Sequence, residues 1–306
     1  MRDFTAHSFA YEKPPLIKSK KKADAKTVAK KTAKKAGFYI AVLLLAVFFI
    51  FPFFVMICVS LLQDSDVYLR VLISPTHVID VGNYLSIFSS GSNYLRYLLN
   101  TLIVALISAV GIPFVSSLCA YGFAKCKFHG REIVFSIMLG TLMIPGVATM
   151  LPLYSMYVEL GWLDTLYPLF VPALFGGGAT NIFLIRQFMR GVPDDIIAAA
   201  RIDGAGTFRI YIQFCMPLCV PVLLFVAYQS FNGAWTNFAA PMLYIGQRSE
   251  WMPLALGMYY DYGPPSRSLA NSAMAAGAVM TLPCIILFII FQKYLIEGVS
   301  ITGLKG

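Results

Sequence analysis

Residues 38–62 read FYIAVLLLAVFFIFPFFVMICVSLL, 25 consecutive positions without an Asp, Glu, Lys or Arg. A helix needs roughly 20 mostly apolar residues to cross the hydrocarbon core of a bilayer. This stretch therefore predicts a membrane span. A cleaved leader is a poor reading, because 25 apolar residues exceed the apolar core of a signal peptide and the basic segment before them is too long. Five more stretches meet the same test, at 97–124, 133–158, 165–185, 217–241 and 268–292, and none contains a charged residue. The expectation is an all-α, polytopic membrane protein with six transmembrane helices.

Composition agrees. The chain has 306 residues, 58% hydrophobic and only 13% charged. Soluble domains carry about 25% charged residues. The formal net charge of +9 is concentrated at one end: residues 1–37 hold 11 Lys/Arg against 3 Asp/Glu, and the remainder is nearly balanced with 13 against 12. The basic character belongs to a tail, which suits attraction to anionic headgroups and gives no reason to expect nucleic acid as a partner. The domain reading is a basic cytoplasmic tail, 1–37, and a transmembrane domain, 38–306. Cys58, Cys119, Cys126, Cys215, Cys219 and Cys284 fall mostly in apolar runs and form no CxxC, so they read as small apolar residues, and no metal site is expected.

Orientation follows from the basic residues of the connections. With the N-terminus inside, cytoplasmic segments hold 20 Lys/Arg and external ones 4, namely Arg70, Arg96, Arg248 and Arg267. Both termini are expected in the cytoplasm. A carrier driven by protons or sodium usually keeps an ionisable group at membrane depth. These spans have none, which weakens that class, although backbone carbonyls could still bind sodium. The chain has no GxxxxGK[ST], so a phosphate loop, if ATP drives this protein, must lie on another subunit. Gly176-Gly177-Gly178 lies inside the fourth span and reads as a weak point or a close-packing site.

The connection between the fourth and fifth spans carries the most information. Pro193 suits the start of a helix. Asp194 and Asp195 suit the positive end of its dipole. Ala198, Ala199 and Ala200 favour helix and leave a smooth surface. Asp203-Gly204 ends it, with glycine free to take the left-handed position. A second helical stretch is expected from Thr207 to Met216. Physics alone describes a helix–turn–helix block lying across the cytoplasmic face, and an ordinary interfacial hairpin would read the same way.

The residues say more. Ala198-Ala199-Ala200-Arg201-Ile202-Asp203-Gly204-Ala205, followed by Pro217-Leu218-Cys219-Val220-Pro221, resembles the EAA loop of binding-protein-dependent ABC transporter permeases. The likeness extends over roughly residues 38–306. Asn100-Thr-Leu-Ile-Val104 and Ala120-Tyr-Gly-Phe-Ala124 are similar to that family's second span, and Leu142-Met-Ile-Pro145 with Pro152-Leu-Tyr154 to its third. Ile185-Arg-Gln-Phe188 precedes the loop. Trp235-Thr-Asn-Phe238 and Pro241-Met-Leu243 follow it, and Phe291-Gln-Lys-Tyr294, Glu297-Gly298 and Gly303-Leu-Lys-Gly306 resemble the C-terminus of MalG-like, carbohydrate-type permeases.

The resemblance implies a type I ABC importer permease fold in a bacterial cytoplasmic (inner) membrane. It implies a non-catalytic subunit, paired with a second, related permease and resting on two copies of a cytoplasmic ATPase. An extracytoplasmic sugar-binding protein would deliver a carbohydrate, most naturally an oligosaccharide. No cofactor is expected on this chain, since ATP and magnesium would be used by the ATPase. The coupling loop, 190–216, would dock to that ATPase through Asp194, Asp195, Ala198, Ala199, Ala200, Arg201, Asp203, Gly204 and Ala205. The family's Glu falls at Ala198, which puts its anchoring contact in doubt; Asp194 or Asp195 is a candidate substitute.

A sugar pathway needs hydroxyl-compatible polar groups and aromatic faces. The fifth span offers Tyr228, Gln229, Asn232, Trp235, Thr236 and Asn237. Helix–helix hydrogen bonding would use the same residues equally well. The external segments 63–96 and 244–267 are candidates to touch a binding protein, or simple connectors. A peptide or polyamine cargo and an ion-coupled carrier or membrane enzyme are the competing functions.

Overall fold

In the computed structural model, residues 25–62, 80–89, 92–246, 249–263 and 270–303 are described, and every regular element among them is helical. Most of the basic tail, external residues 63–79 and 264–269, and residues 304–306 lie outside them, as do the expectations placed there. Helix α1 (Ala25–Ser60) begins within the tail and continues through Pro52. Its segment up to Pro52 forms a unit of its own. Phe38, Leu44, Phe48 and Ile50 along that segment are each more than 60% exposed. An apolar helix with bare sides suits lipid and not water.

Four helical stretches are long and apolar enough to cross a membrane without a sharp bend: Lys34–Ser60, Tyr94–Lys125, Tyr167–Arg190 and Ala270–Tyr294. Two more are bent pairs, and six spans result when each pair counts as one. The sequence predicts one span over 133–158, and a helical stretch Thr207–Met216 followed by a separate span from 217; proline accounts for both bends. Helix α4 (Arg131–Gly140) runs on through a tight turn, Thr141–Met143, and meets α5 (Gly146–Glu159) at 96°. Ile144 is extended, at φ −77° and ψ 117°, because the ring of Pro145 excludes it from helix. The second bend, 81°, falls at Cys219, between Thr207–Leu218 and α11 (Val220–Trp235). Pro221 lacks the N–H that would continue the ladder there. The fifth helix also stops at Trp235, six residues before the expected end, and Ala239–Tyr244 is a separate short helix, α12.

The fourth span consists of α6 (Tyr167–Leu174) and α7 (Ala179–Arg190). The glycine triplet between them acts in both expected ways. Gly177 and Gly178 take φ of +70° and +89°, which interrupts the helix. A Cβ on Gly177 would overlap Ser116 of α3 (Tyr94–Lys125), so the triplet also permits close packing.

Helix α3 is the spine, because both hydrophobic cores are built on it. Toward its N-terminal end Tyr94, Tyr97, Val104 and Ala105 pack with Trp235 of α11, with Leu254 and Leu256 of α13 (Leu254–Tyr262), and with Ala275 and Ala276 of α14 (Ala270–Gly303). Toward its C-terminal end Ala120 and Tyr121 pack with Ile185 and Met189 of α7, Ile197 and Ala200 of the coupling loop, and Val222 and Val226 of α11. Polar side chains of α3 hold the first core shut. Asn100 donates to the carbonyls of Glu250 and Met252 at 2.8 and 3.0 Å, and Thr101 Oγ1 accepts the N–H of Leu254 at 2.6 Å.

Candidate functional site

The loop expected to couple to an ATPase is a compact block. Pro193 precedes α8 (Asp194–Ile202) in an extended conformation, and Asp194 and Asp195 occupy the first turn. Its C-terminus closes as a Schellman turn. The N–H of Ala205 donates to the carbonyl of Ala200 at 2.9 Å and that of Gly204 to Arg201 at 3.1 Å, with Gly204 at φ +78°. This is the left-handed glycine that Asp203-Gly204 requires. The chain then re-enters helix at α9 (Thr207–Ile210), widens to a π turn over Tyr211–Cys215, and passes through α10 (Met216–Leu218) to the bend.

Three side chains of α3 strap this block down. Lys125 Nζ, at the last position of α3, donates to the Val192 carbonyl and forms an ion pair with Asp194 Oδ1, both at 2.7 Å. The Lys125 side chain is 6% exposed and that of Asp194 87%. The hydrogen bond from Lys125 and its charge, with smaller contributions from Lys127 and Arg201, hold the Asp194 carboxyl below its ordinary value. Tyr121 donates its hydroxyl hydrogen to the Thr207 carbonyl at 3.0 Å, and the hydroxyls of Ser117 and Tyr211 share a hydrogen bond at 2.7 Å. Ile197 and Ala200 are buried beneath. Asp195, Ala198, Ala199, Arg201, Asp203 and Gly204 remain exposed, with Ile202 and Phe208 as uncovered apolar groups. Such a surface suits a partner's groove.

Sequence reasoning missed the straps. Lys125 counted only toward topology, and nothing in its neighbourhood names Asp194 as its partner 69 positions later. Arg186 counted only toward topology and as part of a motif. It is 4% exposed, donates from Nη2 to both oxygens of Glu132 at 2.8 Å, and lies 3.8 Å above the Phe135 ring, joining α7 to α4. A lone Arg beside charge-free helices is the signal that pointed there.

The polar residues of α11 and of the two positions after it divide between two faces. Gln229 and Asn237 line a cavity of about 310 Å³ with Ser108, Asn181, Ser230 and Gly233. Ser108 lies near the middle of α3, so the cavity sits at mid-depth of the bundle. Thr236 is exposed and donates to the Asn232 carbonyl at 2.8 Å, while Asn232 donates to that of Tyr228 at 3.2 Å. Trp235 is 1% exposed, stacks on Phe231 at 5.5 Å, and donates its indole N–H to the Met280 carbonyl at 3.0 Å. It packs against α14 and is absent from the cavity lining.

Up to six apolar spans, a polar cavity between α3, α7 and α11, and a strapped helical block at the end of α3 suit a membrane transport component. Residues 113–301 match the family described as binding-protein-dependent transport system inner membrane component, and the chain belongs to that family. It is 32% identical over 269 residues to the arabinooligosaccharides transport system permease protein AraQ of Bacillus subtilis, covering 86% of this chain and 93% of that one. It is 27% identical to the trehalose/maltose transport system permease protein MalG of Thermococcus litoralis, over 89% and 98%. Its fold is similar to a chain in the crystal structure of a bacterial ABC transporter involved in the import of the acidic polysaccharide alginate. There the TM-score is 0.74 with 22% identity, covering 86% of this chain and 97% of that one.

Proposed function

We propose that this chain is the translocating subunit of an ATP-driven importer whose cargo is a carbohydrate, most naturally an oligosaccharide. It pairs with a second, related permease in a bacterial cytoplasmic membrane. Two copies of an ATPase dock beneath, one of them on α8, and bring ATP and magnesium with them. An extracytoplasmic binding protein delivers the sugar. The single observation that carries the reading is the α8 block. Its exposed face is smooth and partly apolar, and its buried face is tied through Lys125, Tyr121 and Ser117 to the helix on which both cores rest. A partner that moved α8 would thereby act on the bundle, as alternating access between two global states requires.

The names of the relatives support a sugar cargo. In this chain Gln229 and Asn237 supply amide groups suited to hydroxyls, with no charged side chain lining their cavity. The test is a mild-detergent purification of the tagged chain, followed by an ATPase assay. A second permease and an ATPase should accompany it, with turnover raised by a binding protein plus one class of sugar. A homogeneous single chain without ATPase activity would reject the reading.

A further inference from the structure

A second concave space, of about 490 Å³, opens beside α8 and is lined by Ala124, Lys125, Lys127, Arg131, Arg190, Asp194, Ile197, Ala198 and Arg201. Five cations face one carboxylate. That carboxylate is already held by Lys125, and Arg131 is paired with Glu132 at 3.0 Å. The side chains of Lys127, Arg190 and Arg201 make no hydrogen bond or ion pair among the described residues. All three are exposed at the rim of the hollow, with cationic heads free to close on a bound anion.

We propose that this hollow binds a phosphate group, carried either by an anionic phospholipid headgroup or by a soluble phosphate. Arginine and lysine in a concave wall are the side chains that recognise phosphate. The location suits a headgroup. Lys125 ends α3, Arg190 ends α7 and Arg131 begins α4, so the hollow sits where three spanning stretches reach the membrane surface. Ala124, Ile197 and Ala198 add an apolar wall for the glycerol region. Alanine at 198 keeps the space open, whereas a carboxylate there would enter it and satisfy the same cations. The inference rests on this end of the bundle being cytoplasmic and not on the cargo.

The experiment uses the full chain with whatever assembles on it. Nanodiscs of phosphatidylcholine, with and without phosphatidylglycerol, are analysed by native mass spectrometry for retained lipid. In parallel, thermal unfolding in inorganic phosphate is compared with chloride at matched ionic strength. Two variants are tested, a double variant Lys127→Gln with Arg190→Gln, and Ala198→Glu. Retained phosphatidylglycerol that falls at least about tenfold in the variants, the loss of one or more charge-assisted contacts, assigns a lipid. No retained lipid, but a phosphate-dependent rise in melting temperature that the variants lose, assigns a soluble phosphate. Equal behaviour of parent and variants in both arms overturns the proposal. Loss of the ATPase from the variants, with no change in either arm, also overturns it and gives the hollow to a carboxylate of that subunit. Co-purification of the ATPase with the parent reports separately on the transport reading. Ala198→Glu alone decides the matter if the double variant does not fold.

Discussion

Lys125 and Asp194 meet at 2.7 Å across 69 positions of sequence, and through that contact the end of the spine helix fixes the first turn of α8. The contact joins a buried ammonium to an exposed carboxylate. The Asp194 carboxyl sits below its ordinary value of 3.8. A depressed carboxylate contributes its stabilisation fully above the unfolded value and loses it as pH falls through the folded one. The pair should therefore hold throughout neutral pH and fail only in acid below about 3.8. Titration of Asp194 by carboxyl NMR should give a midpoint below 3.8 in the parent and a return toward it in Lys125→Met. An unchanged midpoint in that variant would remove Lys125 as the cause.

Gly204→Val should damage the coupling block without touching any neighbour. Nothing lies within 4 Å of a Cβ at this position, so the cost is backbone strain at φ +78°. That strain is worth about 1–3 kcal/mol, more for a β-branched residue. Thermal unfolding should fall, and the ATPase should co-purify less well. Gly204→Asn, which tolerates the left-handed region, should lie between the two. Full ATPase recovery with valine would detach docking from the shape of the turn.

Gly257→Ala should destabilise the outer core. A Cβ on this helical glycine would overlap the Tyr97 ring, which is itself 4% exposed. Overpacking of this kind costs about 1–3 kcal/mol. Combining it with Tyr97→Leu should restore part of the loss. If the double variant melts no higher than Gly257→Ala alone, the ring is not the obstacle.

Trp235→Ala and Gln229→Ala should separate packing from passage. Truncating the buried indole should cost about 3–5 kcal/mol, and folded yield should fall with uptake. Gln229 is exposed to the cavity, so its truncation should leave stability within about 0.5 kcal/mol while uptake falls. Melting curves of the purified variants beside sugar uptake in membranes would test the pair. Normal uptake with Gln229→Ala would take it out of the pathway.

Much of this architecture was legible from one sequence because membranes impose a simple rule. Runs such as 38–62 have to be helices, since lipid offers the backbone no other partner. Gly204 was legible because its conformation is local. The bend at Pro145 was not drawn, because a hydropathy window sums apolar residues and ignores a proline, whereas the break at Cys219 falls two residues past the expected start of the fifth span. The side that Trp235 takes was hidden for a different reason. Helical periodicity places Tyr228 and Trp235 on one face, but it does not reveal whether that face meets α14 or a cavity. Lys125 and Arg186 owe their partners to contacts between helices far apart in the chain, which no spacing rule reports.

The division of α3 between two cores has a mechanical consequence. Its 32 residues make a rod of about 48 Å. Lys125 grips the coupling block at one extremity, and Asn100 and Thr101 grip the 250–254 segment near the other. The rod joins a grip at each of its ends. A tilt of this helix that displaced α8 would also displace the 250–254 segment, so the two ends answer to one rigid element.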